Sequence, residues 1–310
     1  MKFAFFFPGQ GSQSVGMMQG WSDIAVVRQT FDEASQLLGQ DFWSMVTEPN
    51  EALNQTTNTQ PLMLTAGVAT WWAWQANSSA LPALMAGHSL GEYTALVAAG
   101  ALSFKDALPL VRYRAEVMQN AVAEGVGAMA AILGLDDETV RQVCTEGAQG
   151  EVLEAVNLNS PGQVVIAGNK AAVERGMEIA KAKGAKRALA LPVSVPSHCA
   201  LMKPAAEALA VYLQNVSMNT SNIPVIHNAD VASYHDVNKM KDALVRQLYS
   251  PVRWVETVQS AYQQGITDSA ECGPGKVLAG LTKRIESELP CVALTSMESL
   301  SEAQARFTAA

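Results

Sequence analysis

The sequence is poor in charge, in cysteine and in histidine. Of 310 residues, 16% are charged and 49% are hydrophobic, whereas soluble domains commonly carry about 25% charge. Disordered chains have the opposite balance, so that class is excluded. Lys and Arg total 21 against 29 Asp and Glu, a net charge of −8. A surface of that sign disfavours general binding to a phosphate backbone, so no nucleic acid partner is expected; only a local basic patch stays open. The four cysteines, Cys144, Cys199, Cys272 and Cys291, lie far apart and form no C-x-x-C pair. With only four histidines, no zinc-type ligand set emerges and no metal is expected. Scattered thiols suit a reduced compartment. No predominantly apolar run reaches the roughly 20 residues of a membrane span. The apolar opening Phe3-Ala4-Phe5-Phe6-Phe7 is too short for a signal-peptide core and runs into Pro8-Gly9, so a buried first strand is expected there. The expectation is a soluble, cytoplasmic protein.

The length suits one large domain or a large and a small one. Between about Gly127 and Val193 the pattern is β-α-β-β-α-β, the ferredoxin-like order. Ala128–Leu133, Val152–Leu158, Gln163–Ala167 and Ala188–Val193 read as strands. One helix starts at Asp136, and Lys170–Lys183 forms the other, stopped by Gly184. Outside this segment, strand-like runs (Phe3–Phe7, Leu84–Ala86, Ile223–Asn228, Asp268–Glu271, Val292–Leu294) alternate with long helical stretches. That alternation argues for a mostly parallel sheet covered on both faces. The expected fold is therefore α/β: a large body, residues 1–125 and 195–310, interrupted by a small α+β subdomain, residues 126–194. A cleft between the two is the natural substrate site.

The strongest chemical signal is Gly87-His88-Ser89-Leu90-Gly91, a G-x-S-x-G nucleophile elbow between a short strand and a helix-prone run. The turn holds its serine in a strained conformation, and the flanking glycines avoid collision with neighbouring backbone. A serine hydroxyl needs a base. His88, adjacent in sequence, should point away and pack near the elbow. His198, in a loop after the small segment, follows the nucleophile in the order expected of α/β-hydrolases. His227, in a strand-like run, and His235, in a polar stretch, stay open as rivals. Cys199 reads as a small buried residue. No acid stands out to orient the histidine, since Asp106, Asp136 and Asp137 read as helix starts; a backbone carbonyl can hold the tautomer instead. Phe7-Pro8-Gly9-Gln10-Gly11-Ser12-Gln13 offers a loop where the Gln10 N–H, with that of Leu90, can form an oxyanion hole. Without a G-K-[ST] ending it makes a poor phosphate loop. Arg114 lies on the helix after the elbow helix. In isolation it suggests a surface Arg–Glu pair; buried, its fork would suit a carboxylate.

Taken together, these residues resemble the malonyl-CoA:acyl carrier protein transacylases of bacterial type II fatty acid synthesis. The resemblance spans the chain. It rests on the Phe7–Gln13 loop, Asn58-Thr59-Gln60-Pro61, Gly87–Gly91 with Glu92-Tyr93, Arg114, and Asn157-Leu158-Asn159-Ser160-Pro161-Gly162-Gln163. Pro196-Ser197-His198, Ser250-Pro251-Val252-Arg253-Trp254 and Glu271-Cys272-Gly273-Pro274-Gly275 complete it. The resemblance implies Ser89 as acyl-accepting nucleophile, His198 as its partner, and the Gln247 backbone carbonyl as the group orienting His198. It implies Gln10 and Leu90 N–H groups as the oxyanion hole, and Arg114, Gln10 and Asn159 as substrate contacts. It implies a hydrolase-like core with a ferredoxin-like insert, working as a monomer without a cofactor. The reaction implied is ping-pong transfer from malonyl-CoA to the phosphopantetheine thiol of acyl carrier protein. A serine thioesterase or esterase shares the elbow and oxyanion hole, and a non-catalytic carrier-binding scaffold is a rival of another class. An acidic carrier must dock on a chain of net −8, so cations must cluster at the cleft mouth. Lys181, Lys183, Lys186 and Arg187 form one candidate cluster, and Lys276, Lys283 and Arg284 another.

Overall fold

The strand Phe3–Phe7 (β1) is buried along its whole length, because both faces of its sheet are covered. In a computed structural model describing residues 2–193 and 195–308, Phe3 and Phe5 point to one face, against Trp71, Trp74 and Phe307. Phe6 points to the other, its ring 5.5 Å from that of Trp254. A continuous apolar run is what a parallel strand with two covered faces requires.

After β1 come α1 (Ala25–Leu38), α2 (Phe42–Thr47) and α3 (Thr56–Asn77), then β2 (Leu84–Gly87), α4 (Gly91–Ala98) and α5 (Phe104–Gln119). A second unit follows: β3 (Gly127–Leu133), α6 (Asp137–Ala148), β4 (Leu153–Ser160), β5 (Gln163–Asn169), α7 (Lys170–Ala182) and β6 (Arg187–Ala190). The chain then returns through α8 (Lys203–Gln214), β7 (Val225–Ile226), α9 (Val237–Gln247), α10 (Trp254–Gln263), β8 (Asp268–Cys272), α11 (Val277–Ile285), β9 (Cys291–Leu294) and α12 (Met297–Thr308). The first sheet is five-stranded, ordered β7-β2-β1-β8-β9 and parallel throughout. The second is four-stranded and antiparallel, ordered β4-β5-β3-β6. The architecture is thus α/β with a separate antiparallel sheet. Among the described residues no helix is long and apolar enough to cross a membrane.

Two strands are shorter than their sequence runs. Of Ile223–Asn228 only Val225–Ile226 pairs in the sheet: Pro224 has no N–H to give, and the His227 N–H turns instead to Ala232 O. Of Ala188–Val193 only Ala188–Ala190 stays in the strand, which starts one residue earlier at Arg187 and ends before Pro192. Ser194, the last residue expected in the small segment, lies outside the described residues. The second sheet is tied to the first unit by main-chain bonds from Leu158 N to Val252 O and from Val252 N to Val156 O, 3.0 and 2.8 Å.

Candidate active site

The elbow is fixed by backbone crowding. A Cβ on Gly87 would lie 1.9 Å from the Gly91 backbone, and one on Gly91 would lie 2.0 Å from Phe7 O. Only glycines let β2, the start of α4 and the end of β1 meet here. Ser89 between them has φ +52°, a left-handed backbone that costs free energy unless braced. Asn228 braces it from both sides: its Oδ1 accepts from Ser89 N at 2.7 Å and its Nδ2 donates to Gly87 O at 2.6 Å.

Ser89 Oγ lies 2.8 Å from His198 Nε2. His198 Nδ1 lies 2.7 Å from Gln247 O. A carbonyl only accepts, so Nδ1 carries the proton and Nε2 is left to accept from the serine hydroxyl. The His198 N–H also donates to Leu248 O at 2.9 Å. Gln247 ends α9, so the imidazole sits on the negative end of that helix where a triad would have an acid. Burial first, then the Arg114 charge, holds the His198 pKa down to about 3, which leaves the ring neutral at neutral pH, with Nε2 free of a proton.

His227 and His235 lie elsewhere. His227 is buried under the elbow with Nδ1 2.6 Å from Glu92 Oε1, and His235 is exposed. His88 turns its Nε2 to Asn159 Oδ1 at 2.8 Å and packs by Trp254. Cys199 is buried, its thiol pushed up to about 12 mainly by desolvation, which makes it inert. Asp136 caps α6, accepting from Thr139 N; Asp106 and Asp137 sit in the first turns of α5 and α6.

Arg114 is not the surface residue that local sequence suggests. It is 1% exposed. Its Nη1 donates to Gln60 Oε1 at 2.7 Å; its Nη2 donates to Gln247 Oε1 at 2.8 Å and to Ser89 Oγ at 3.2 Å. Its Nε, also buried, has no partner. The Tyr93 ring lies beneath, 5.3 Å from the guanidinium carbon. Among the described residues the ion pairs omit Arg114. A buried guanidinium ringed by neutral acceptors is a site awaiting an anion.

These groups line one cleft of about 510 Å³. Its floor carries Ser89, Leu90, Arg114, Gln60 and His198; Gln10 and Gln13 come from the loop after β1; Met129, Asn157, Leu191, Pro192 and Val193 come from the second sheet and its exit. Neither the Leu90 nor the Gln10 N–H donates to another group among the described residues. Both therefore remain able to meet an oxygen in the cleft. Asn159, expected as a substrate contact, does not line this cleft; Asn157 does. A pairing irregularity between Leu158 and Ser160 rotates Asn159 away to His88. A larger, open groove of about 640 Å³ beside α1 and α2 includes Arg28, Gln40 and Trp43 but no nucleophile with a base. No group of three or more His, Cys, Asp or Glu among the described residues could hold a metal.

Gln60, Asn228 and Glu92 carry the network without having been singled out from sequence for any role. Gln60 and Glu92 stand within the quoted motifs; Asn228 ends the strand-like run Ile223–Asn228, with no local signal for bracing an elbow 139 positions earlier.

Comparison with known proteins now adds to this geometry. Residues 4–296 match the family described as acyl transferase domain. The chain is 55% identical over 304 residues to the malonyl CoA-acyl carrier protein transacylase of Salmonella typhimurium, covering 97% of this chain and 98% of that protein. Among solved structures, an acyl-carrier-protein S-malonyltransferase from Burkholderia pseudomallei superposes with TM-score 0.97 at 60% identity, covering 98% of this chain and 99% of that one. A malonyl-transacylase solved in complex with a type II PKS acyl-carrier protein superposes with TM-score 0.97 at 52% identity, covering 99% of this chain and all of the other.

Proposed function

We propose, from the premise that this chain belongs to the acyl transferase domain family and within it to the malonyl CoA-acyl carrier protein transacylases, that it transfers a malonyl group from malonyl-CoA to the phosphopantetheine thiol of acyl carrier protein for fatty acid synthesis. The observation that carries the reading is Arg114, a buried cation 3.2 Å from the serine hydroxyl with no anion of its own. A short acyl group ending in a carboxylate fits that arrangement; a plain acyl group would leave the charge uncompensated.

The chemistry runs through Ser89. As Oγ attacks the thioester carbonyl carbon, its proton passes to His198 Nε2. The α9 C-terminus favours the imidazolium, an effect worth up to about 2 kcal/mol in partly buried sites. Leu90 and Gln10 N–H groups hold the oxyanion, each worth roughly 3 kcal/mol in comparable sites. The C–S bond breaks, and the coenzyme A sulfur leaves with the proton from His198. Malonyl-Ser89 remains, its carboxylate on Arg114. The carrier thiol then gives its proton to His198 Nε2 and attacks the ester carbon; Ser89 Oγ departs and recovers that proton. No cofactor takes part. Residues 126–194 serve as a subdomain walling the cleft of a body formed by 1–125 and 195–310, and the enzyme works as a monomer in the cytoplasm, where its four free thiols suit the reducing conditions.

An acidic carrier needs a local reversal of sign on this chain. Lys181 and Lys183 are spent on Glu178 and Glu146, at 2.7 and 2.8 Å. Arg187 and Arg284 meet the same end of the second sheet. Leu133 of β3 lies between Arg187 of β6 and Gln163 of β5, and Arg284 Nη1 donates to Gln163 Oε1 at 2.9 Å. Exposed Lys186 and Lys283 adjoin them in sequence. From Arg187 the chain runs roughly 13 Å, four residues of strand, to the cleft wall at Leu191. This joined patch is the proposed carrier dock.

Incubation with malonyl-CoA alone tests the function. The expected result is one equivalent of coenzyme A released, a malonyl ester on Ser89 by intact mass, and slow hydrolysis; added carrier protein then takes the acyl group. Rapid release of free malonate without carrier would instead identify a thioesterase.

A further inference from the structure

Beneath the elbow lies a second polar cluster, centred on Glu92, whose carboxylate touches neither the cleft nor the serine hydroxyl. Glu92, in the first turn of α4, is 0% exposed. Three donors converge on its two oxygens: His227 Nδ1 at 2.6 Å on Oε1, and Asn228 N at 2.9 Å and Gln247 Nε2 at 2.8 Å on Oε2. Gln247 is the member that leads back to the site. Its backbone carbonyl orients His198, its Nε2 also reaches Ser89 O at 3.0 Å, and its Oε1 receives Arg114 Nη2 at 2.8 Å.

We propose that Glu92 is a positioning residue for acyl selection: it fixes which way the Gln247 side-chain amide faces, and through that amide it holds the guanidinium of Arg114. The inference rests on the malonyl-transfer reading above. An amide has one accepting and one donating end. Arg114 can only donate, so it needs the oxygen; an ionised Glu92 can only accept, so it needs the NH2. The two charged groups thus pin the amide from opposite ends, and reversal would set NH2 against guanidinium and oxygen against carboxylate. Glu92 also supplies negative charge near Arg114 without touching it. A direct carboxylate partner would occupy the fork; a carboxylate relayed through a neutral amide leaves the fork's outer edge for the ligand.

The test is the ratio of Ser89 loading rates, kcat/KM, from malonyl-CoA and from acetyl-CoA, in the full chain. Glu92→Gln keeps the volume but offers one oxygen and one NH2 to three donors, so Gln247 is no longer held in a single orientation. The expected result is a malonyl-to-acetyl ratio lower by about tenfold or more, the scale of one hydrogen bond to a charged group, with acetyl loading reduced much less. A ratio unchanged or raised would overturn the proposal, because electrostatics alone would let the lost negative charge tighten malonyl binding. An equal fall with both donors would also overturn it, reducing Glu92 to a brace of the elbow through Asn228. Should Glu92→Gln fold poorly, Glu92→Asp keeps the buried charge, loses reach to Gln247, and is judged on the same ratio. Wild-type enzyme separates the two levels: if it did not prefer malonyl-CoA, the malonyl-transfer reading would fail before Glu92 was in question.

Discussion

Replacement of Arg114 by Ala offers the sharpest test of acyl selection. The guanidinium is buried, and its outer edge faces the space where an acyl chain on Ser89 must lie. Two unit charges about 4 Å apart interact by about 4 kcal/mol at the effective dielectric suited to protein sites. At about 1.4 kcal/mol per decade, that corresponds to roughly a thousandfold in kcat/KM. An acetyl group makes no such pair, so its loading should stay within about tenfold of wild type, or rise, since no cation remains to be compensated. The variant also alters His198. Arg114 is the second cause, after burial, of its low pKa; without that charge the pKa rises. The neutral imidazole is the active form, so the acid limb of the acetyl loading profile should move to higher pH. Quenched-flow loading with both donors, read as acyl-enzyme by intact mass across pH 4–8, measures all of this. An equal loss with malonyl-CoA and acetyl-CoA, at unchanged thermal stability, would refute the carboxylate clamp. An unmoved acid limb would refute its coupling to His198.

Three further outcomes follow from the same geometry. A neutral buried His198, its pKa held near 3 against an unfolded value near 6.5, binds fewer protons than the unfolded chain as pH falls from about 6.5 to 3. It therefore removes stability over that window by up to about 1.4 kcal/mol per pH unit; urea midpoints of His198→Ala should decline less than wild type between pH 7 and 5. Glu271 has the opposite sign. Desolvation raises its pKa to about 7, so the native state holds its proton more tightly than the unfolded chain, and that contribution fades as pH rises from about 4.5 through 7. Glu271→Gln should gain on wild type in urea midpoint between pH 6 and 8, and a constant difference would contradict the shift. Charge reversal at Arg187 and Arg284 together should raise the apparent KM for carrier protein about tenfold or more at low salt, with malonyl-CoA loading nearly intact; equal damage to loading would assign the patch to coenzyme A or to the fold.

What the sequence discloses about this protein depends on how local the physics is. The buried strand Phe3–Phe7, the elbow glycines and the β-α-β-β-α-β order are set by steric and periodic rules acting over a few residues, so they are legible in the chain. The choice of histidine is not: His198 reaches Ser89 across 109 positions because its loop closes on the carbonyl end of α9, and no spacing rule encodes that. Asn157 and Asn159 stand two apart in a strand and should share a face, but the irregularity after Leu158 sends one to the cleft and the other to His88. Arg114 is the instructive case. Taken residue by residue, an arginine in V-R-Y-R-A-E suggests a surface pair. Taken by helical period, it falls on the buried face of α5 with Leu110, Val111, Ala115 and Met118. A cation on an apolar stripe, with no acid three or four positions away on that stripe, must be paired by something distant or left for a ligand. Here the distant carboxylate, Glu92, is held off by Gln247, so the fold keeps Arg114 charged and leaves its outer edge open to substrate.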